Sequence, residues 1–319
     1  MILLSIAIPT YNRSKYLREE LDCILPQLLP FKEEVEIQIS DNCSTDDTGI
    51  MVEELSAKYH FPIGYKRLEN GIYFEDNFDT VVGRCSGKYI QLSGDDDIFD
   101  ASFYPRLIHL LKEHQYGLLH FNRLECDAVC SNGRLYDKNY EKNEMVMEAG
   151  DFIKKCMAGP GFMTSLVFLK ECWNRGEMDL SSFYGYRFLS RLYHGAMQLG
   201  VRCYYCYIPL ILMRNPSRAW SGQYCLFHFV GLSNIFKNLD SSIPGLFQKW
   251  EEKLHHSTTL RGNLVMLGVV ANNKSFFSEK KKEFFQYFNK REKIAFNLLL
   301  KLPSKVFLPF YYRFVKWFL

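Results

Sequence analysis

The feature that most constrains the fold is a fourfold alternation of strand-like and helix-like patterns within residues 1–115. Short apolar or alternating runs occupy 2–9, 35–41, 63–68 and 88–93. After each run, apolar residues recur every three or four positions, as they do on one face of a helix. Strands that alternate regularly with helices predict an α/β fold, in which a parallel sheet is covered by helices on both faces.

The pattern changes twice after residue 115. Strand candidates continue at 118–124, 162–169 and 201–213, and from 223 onward the sequence is helical and rich in aromatic residues. We therefore expect residues 1–115 and 116–222 to be two halves of one α/β domain. Residues 223–319 are then expected to form a helical extension.

Polar residues follow each of the four predicted N-terminal strands. They are Thr10 to Arg13, Asp41, Asn70, and Asp95 to Asp97. In open parallel sheets, ligands bind beyond the carboxyl ends of the strands. These four positions together predict a binding site at one edge of the sheet.

The run Asp95-Asp96-Asp97 is the strongest single candidate for a site. Three adjacent carboxylates repel one another, and a divalent cation that also binds phosphate oxygens relieves this repulsion. Ligands that are all oxygen favour Mg²⁺ or Mn²⁺ over zinc. The alternative is a helix N-terminus, where acidic residues are favoured by the helix dipole.

Asp41, Tyr11 and Arg13 suggest how a nucleotide would be held. Asp41 either forms a local turn with its own backbone or accepts the imino N–H of a pyrimidine base. Tyr11 is placed to stack on the base, and Arg13 to pair with a phosphate.

Four segments in succession resemble the motifs of family-two glycosyltransferases with the GT-A fold. They are SIAIPTYNR at 5–13, DNCSTDDT at 41–48, ENGIYFEDNF at 69–78 and GKYIQLSGDDD at 87–97. The resemblance is greatest to the bacterial surface-polysaccharide branch that includes abequosyltransferase-like enzymes. It implies a GT-A (Rossmann-like), mostly parallel sheet, and transfer of a sugar with inversion from a nucleotide-diphosphate donor to a glycan acceptor. It also implies a Mn²⁺ or Mg²⁺ cofactor.

The resemblance assigns roles to particular residues. The donor-binding residues are expected to be Pro9, Thr10, Tyr11, Arg13, Asp41, Asn70, Asn77, Asp95 and Arg214. Asp96 and Asp97 are expected to bind the metal. Many relatives carry an aspartate where this chain has Gly94, which permits a shift of one residue in this alignment.

The catalytic base is not evident from the sequence. Relatives often have Glu-Asp before a helix, but the matching region at 181–195 contains no acidic residue. Asp179, just upstream, and His194, within the predicted helix, are the two candidates to take the proton of the acceptor hydroxyl. Their alternative roles are a helix cap for Asp179 and a half-buried histidine for His194.

The C-terminal segment is strongly basic. Residues 274–319 contain eleven Lys and Arg but three Glu, a local charge of +8 in a chain of net charge +3. Such a small net charge argues against nucleic-acid binding, whereas an aromatic and basic tail favours a membrane surface. We expect a cytoplasmic protein, peripheral on the inner face of the plasma membrane, with a lipid-linked acceptor. Alternatively, the tail packs on the body of the protein or on a partner in a homo-oligomer.

Two other functions are compatible with the sequence. A catalytically degenerate GT-A-fold binding subunit at the membrane is one, because no base is evident. A sugar nucleotidyltransferase is the other, although such enzymes are expected to have a glycine-rich basic loop that SIAIPTYNR lacks.

Overall fold

The structure is a computed structural model that describes residues 1–127, 133–138, 143–176, 181, 183–214, 226–256, 273–288 and 290–301. It divides into two compact units. The first comprises residues 1–178 and 188–217, and the second comprises residues 179–187 and 218–319.

The N-terminal half of the first unit is built from strands and helices in alternation. The strands are β1 (Leu4–Thr10), β2 (Val35–Asp41), β3 (Ile63–Arg67), β4 (Tyr89–Leu92) and the short β5 (Ile98–Phe99). The helices are α1 (Ser14–Leu28), α2 (Thr48–Tyr59), α3 (Phe74–Gly83) and α4 (Phe103–Glu113). β1 pairs in parallel with β2 and β4, and β2 pairs in parallel with β3. This parallel half matches the sequence prediction, and all seven residues of β1 are buried because helices cover both faces.

The second half of this unit adds both parallel and antiparallel strands. They are β6 (Leu118–Cys126), β7 (Gly133–Leu135), β8 (Glu144–Glu148), β9 (Leu166–Leu169) and β10 (Arg202–Arg214). The helices here are α5 (Ala149–Cys156), α6 (Lys170–Arg175) and α7 (Arg187–Leu199). The sheet order is β3-β2-β1-β4-β9-β6-β10-β5, with β7 on β6 and β8 on β10.

Strand β9 lies antiparallel between β4 and β6. It begins at Leu166, later than the strand predicted for 162–169. Pro160 starts a 3₁₀ turn over Gly159–Gly161, and a second turn spans Met163–Ser165. These turns bring residues just before β9 to the end of β4, where the predicted site lies.

The second unit is helical in the part that the structure describes. A π-helical segment, Leu226–Gly231, continues into α8 (Leu232–Leu239). The remaining helices are α9 (Leu246–His256), α10 (Lys274–Glu279), α11 (Lys281–Phe285) and α12 (Lys290–Lys301). Phe277, Phe284 and Phe296 form the centre of its hydrophobic core. Across the described ranges, every helix is too short or too polar to cross a bilayer.

Candidate donor-binding site

The end of β1 and the loop after β4 meet through side chains, as the sequence predicted. The Thr10 hydroxyl donates to Asp95 Oδ2 at 2.7 Å. The Arg13 guanidinium bridges two aspartates, with Nε 3.1 Å from Asp95 Oδ1 and Nη2 hydrogen-bonded to Asp96 Oδ2. One cation from the β1 end therefore neutralises two neighbouring carboxylates.

Asp97 is buried and held by donors from two other strands. The Thr164 hydroxyl, just before β9, donates to Asp97 Oδ2 at 2.5 Å. The backbone N–H of Arg214, at the end of β10, donates to Asp97 Oδ1 at 3.2 Å. Thr164 also accepts a hydrogen bond from the Gly94 N–H at 2.9 Å, which fixes the start of the acidic loop.

The missing side chain of Gly94 leaves space beside two carboxylate oxygens. A Cβ at this position would lie 3.1 Å from Asp97 Oδ2 and 3.4 Å from Asp96 Oδ1. These two oxygens line the gap left by the absent side chain, together with Thr164 Oγ1 at 3.3 Å, and oxygen ligands are those that suit Mg²⁺ or Mn²⁺. Such ions often take only one or two carboxylates and complete their shell with water and phosphate oxygens. Among the described residues, no group of three His, Cys, Asp or Glu side chains is arranged to hold a metal ion.

Burial raises the pKa values of Asp95 and Asp97. It raises the pKa of Asp95 to about 6, although Arg13 and Thr10 oppose the rise. Burial, reinforced by the Asp96 charge, raises the pKa of Asp97 to about 7. Burial, with the neighbouring negative charges, therefore brings the pKa of Asp97 close to neutral pH.

A fourth acid, Glu20, lies beneath the aspartates on α1. It is fully buried and accepts a hydrogen bond from the Ser93 hydroxyl at 2.9 Å. Burial raises the pKa of Glu20 well above its ordinary value, and the Asp97 charge adds to this rise. Burial therefore favours the neutral form of Glu20 over the carboxylate.

Two guanidinium groups lie against the ring of Tyr16. The guanidinium carbons of Arg13 and Arg214 lie 5.1 and 5.2 Å from its centroid. Arg214 also pairs with Glu19 through Nη1 at 2.6 Å. The aromatic ring therefore brings two cations near the acidic loop, in an arrangement suited to a diphosphate.

Asp41 is held at the end of β2 by the loop that follows it. Its Oδ1 accepts from the Ser44 N–H at 2.8 Å, and its Oδ2 accepts from the Tyr65 hydroxyl. Asn12 has a positive φ of 51° and is held to the same loop, with its N–H donating to Ser44 Oγ at 2.8 Å and its Oδ1 accepting from the Thr45 N–H at 2.7 Å. The β1 and β2 ends thus form one rigid wall of the site.

The other predicted donor residues differ in exposure. Pro9 is buried within β1, while Tyr11 is 55% exposed and Asn70 is exposed in the loop after β3. Asn77 is buried, with its amide exchanging hydrogen bonds with the hydroxyl and carbonyl of Ser40. In this state Asn77 fastens α3 to β2. Its predicted role toward the donor stays a prediction.

Only one of the two candidate bases, His194, lies among the residues that the structure describes. Asp179 lies outside the described residues. His194 lies on α7, and its Nδ1 is 2.8 Å from the Ser190 carbonyl oxygen of the same helix. The next residue, Gly195, packs on the backbone of Cys172 in α6, which follows β9 at the end of the sheet where β4 begins. The structure therefore does not bring His194 together with the aspartates.

Sequence reasoning missed Glu20 and Thr164. Glu20 carried a signal, because it lies on the same helical face as Leu17, Leu21 and Ile24, and all of them are buried. An acid within an apolar stripe indicates a buried carboxyl group. No signal in the sequence identifies Thr164, since its position depends on the antiparallel insertion of β9 between β4 and β6.

Comparison with known proteins matches residues 5–172 to the model of glycosyl transferase family 2. Abequosyltransferase RfbV of Salmonella typhimurium (strain LT2) is 31% identical over 191 residues, which cover 56% of this chain and 56% of that protein. The poly(ribitol-phosphate) beta-N-acetylglucosaminyltransferase TarS of Staphylococcus aureus is 26% identical over 119 residues, or 37% of this chain and 20% of its own. The chain thus spans about half the length of the first of these relatives and a fifth of the second.

Solved structures share the fold at low sequence identity. S. aureus TarS 1–349 in complex with UDP-GlcNAc has a TM-score of 0.60 and 14% identity, covering 86% of this chain and 81% of its own. The mannosyltransferase PcManGT from Pyrobaculum calidifontis, in complex with GDP-Man and Mn²⁺, has a TM-score of 0.52 and 14% identity, covering 95% and 86%. The expected GT-A-type α/β fold with a helical C-terminal region is confirmed. The match over more than half of its length shows that the chain belongs to glycosyl transferase family 2.

Proposed function

We propose that the protein is an inverting glycosyltransferase that moves a sugar from a nucleotide-diphosphate donor to a glycan acceptor of a bacterial surface polysaccharide. The observation that carries this proposal is the meeting of Thr10, Arg13, Thr164 and Arg214 around Asp95–Asp97. Acids that face one gap beside two guanidiniums match the mixed charges of a metal–diphosphate group. The donor complexes of structural neighbours and the kinship with an abequosyltransferase support the same reading.

Different residues of the chain would bind the metal, the phosphates and the base of the donor. Asp96 and Asp97 would hold Mn²⁺ or Mg²⁺, which neutralises the diphosphate as the nucleotide leaves. Arg13 and Arg214 would pair with the phosphate oxygens and stabilise the same developing charge. Asp41, held by Tyr65, would orient the base.

The acceptor hydroxyl must lose a proton when the new bond forms. Of the two candidates from the sequence, Asp179 stays a candidate for this step because it lies outside the described residues. His194 is the weaker candidate, because the next residue, Gly195, packs on Cys172 at the end of the sheet where β4 begins, whereas the aspartates follow the end of β4. Near-normal turnover by Asp179→Asn would exclude Asp179, and His194→Ala gives the same test for His194.

The donor proposal is tested by thermal shift with a panel of sugar nucleotides, in Mn²⁺ and in EDTA. We expect one nucleotide class to raise the melting temperature only when metal is present. Asp96→Asn should abolish this shift and slow transfer by at least about 100-fold, as removal of a group that stabilises transition-state charge does. The matched control is Asp100→Asn, which removes an exposed carboxylate at the start of α4. A metal-dependent shift that survives Asp96→Asn contradicts the assignment.

We also propose that the second unit brings the enzyme to an anionic membrane surface carrying a lipid-linked acceptor. Helix α12 buries Phe296 and Leu299 but exposes Ile294 and Leu298, which are 53% and 57% accessible and lie one turn apart. Lysines lie near this apolar pair and elsewhere on α10–α12, namely Lys274, Lys280, Lys281, Lys282, Lys290, Lys293 and Lys301. A basic helix with an exposed apolar stripe suits the headgroup region.

The membrane proposal is tested by co-sedimentation with vesicles of phosphatidylglycerol and phosphatidylethanolamine. Replacing Ile294 and Leu298 with Ser should release the protein into the supernatant. Ile50→Ser is the matched control, because Ile50 is 66% exposed on α2 of the first unit. Equal pelleting of the double variant and the wild type contradicts the proposal.

A further inference from the structure

Arg13 lies where its charge competes with a cation for Asp96. The guanidinium hydrogen-bonds Asp96 Oδ2, while the other oxygen of the same carboxylate, Oδ1, faces the gap beside Gly94. A divalent ion on Oδ1 would therefore lie close to a guanidinium on Oδ2. Like charges at such short range repel strongly in a partly buried site.

The backbone that carries Arg13 is held in place, whereas its side chain is partly exposed. Asn12, the residue before it, is held by Ser44 and Thr45, and Arg13 itself is followed directly by α1. The Arg13 side chain is 35% exposed. Movement of this side chain alone, with the backbone held, would take the guanidinium off Asp96.

We infer that Arg13 is an internal counter-cation that couples metal binding to donor binding, an inference that rests on the donor site proposed above. In the ligand-free protein Arg13 neutralises Asp95 and Asp96 and so opposes entry of a lone divalent ion. A nucleoside diphosphate supplies the negative charge that draws Arg13 away, by pairing with the guanidinium through its phosphate oxygens. Metal and nucleotide then bind better together than either does alone.

Arg13→Gln tests the inference, because Gln keeps a polar side chain but has no charge. Mn²⁺ binding is measured without nucleotide, by electron paramagnetic resonance of free Mn²⁺ during titration. Binding by Arg13→Gln should be about tenfold tighter than by the wild type, within the usual range of coupling between sites. Activity of the enzyme is not part of this measurement.

The titration is then repeated with UDP, GDP, CDP and dTDP tested separately. The factor by which the effective nucleotide tightens Mn²⁺ binding should be large in the wild type. It should be at least about fivefold smaller in Arg13→Gln, because coupling is reciprocal and the variant lacks the group that transmits it.

Two further variants test whether the effect is specific to position 13 and to its charge. Arg18→Gln removes a guanidinium one turn along α1 that pairs with Glu54 at 2.7 Å, and it should bind Mn²⁺ like the wild type. Arg13→Lys keeps the charge but not the planar fork, and should resemble the wild type more than Arg13→Gln does. Thermal melting of all three checks that they fold.

The outcomes separate this inference from the proposed function. If Mn²⁺ binds with nucleotide and depends on Asp96, but Arg13→Gln changes neither its affinity alone nor the coupling, the inference is overturned and the donor site stands. If Mn²⁺ binds to no variant under any condition, both are overturned. Tighter Mn²⁺ binding by Arg18→Gln as well would attribute the effect to net charge and overturn the specific role of Arg13.

Discussion

Replacing Thr164 with Val tests whether this residue holds the acidic loop in place. Valine has nearly the shape of threonine, so the change removes the hydroxyl and leaves little cavity. Two buried hydrogen bonds are lost, the one that Thr164 donates to Asp97 and the one it accepts from the Gly94 N–H.

The expected loss of stability follows from these two hydrogen bonds. A buried N–H left without a partner costs about 1–3 kcal/mol, and a hydrogen bond to a charged group contributes about 1.5–3 kcal/mol. Thr164→Val should therefore lower the free energy of unfolding by about 2.5–6 kcal/mol. It should also raise the pKa of Asp97 further, because the hydroxyl hydrogen bond favours the carboxylate.

Urea denaturation followed by circular dichroism measures the first effect. The pH at which Mn²⁺–nucleotide binding is half-maximal measures the second, and should move upward. Thr80→Val is the matched control, since the Thr80 hydroxyl donates to the Asp76 carbonyl of its own helix in an exposed hydrogen bond of 2.7 Å. Thr164→Ser, which keeps the hydroxyl, should retain the pH of the wild type. A Thr164→Val protein within about 1 kcal/mol of the wild type, with an unchanged pH midpoint, would refute the reasoning.

Three further perturbations have defined outcomes. Mn²⁺ binding should strengthen as pH rises from 6 to 8, because Asp97, with its pKa raised to about 7, must lose its proton to bind a cation. In metal-free protein the same raised pKa contributes stability that is complete below about pH 4 and is lost as pH rises to 7. Urea midpoints of the wild type and of Asp97→Asn, measured across this pH range, check the sign of that effect. Gly94→Ala should weaken Mn²⁺ binding at least about tenfold while the protein stays folded, because its Cβ enters the gap beside two carboxylate oxygens; unchanged titrations would place the ion elsewhere. Tyr65→Phe should weaken binding of the nucleotide about tenfold but leave Mn²⁺ binding unchanged, because it removes only the hydrogen bond that holds the Asp41 carboxylate. Equal loss of nucleotide and Mn²⁺ binding would show a general disturbance of the site and contradict this prediction.

The parallel half of the fold could be predicted from the sequence because local pattern determines it. β1 to β4 appear within about two residues of the predicted runs, since short apolar or alternating runs bounded by turn residues are a local signal for strands. The convergence of Thr10 and Asp95 followed from the rule that ligands bind beyond carboxyl strand ends.

The rest of the site could not be predicted, because it depends on contacts between distant residues. Thr164 reaches Asp97 across 67 positions of sequence. Tyr65 reaches Asp41 only because β3 pairs with β2 in one particular register, in which Arg67 lies opposite Asp41. Local periodicity carries no information about either contact. The roles of the donor residues and of the catalytic base stay predictions.

The insertion of β9 beside β4 also determines when the protein can fold. Until the ribosome has made residues 166–169, the outer edge of β4 has no partner, and an unpaired strand edge invites association with other chains. Contacts of such long sequence separation form slowly. A fragment ending near residue 115 would therefore expose an aggregation-prone edge, and chaperones would be needed most in the interval before β9 is made.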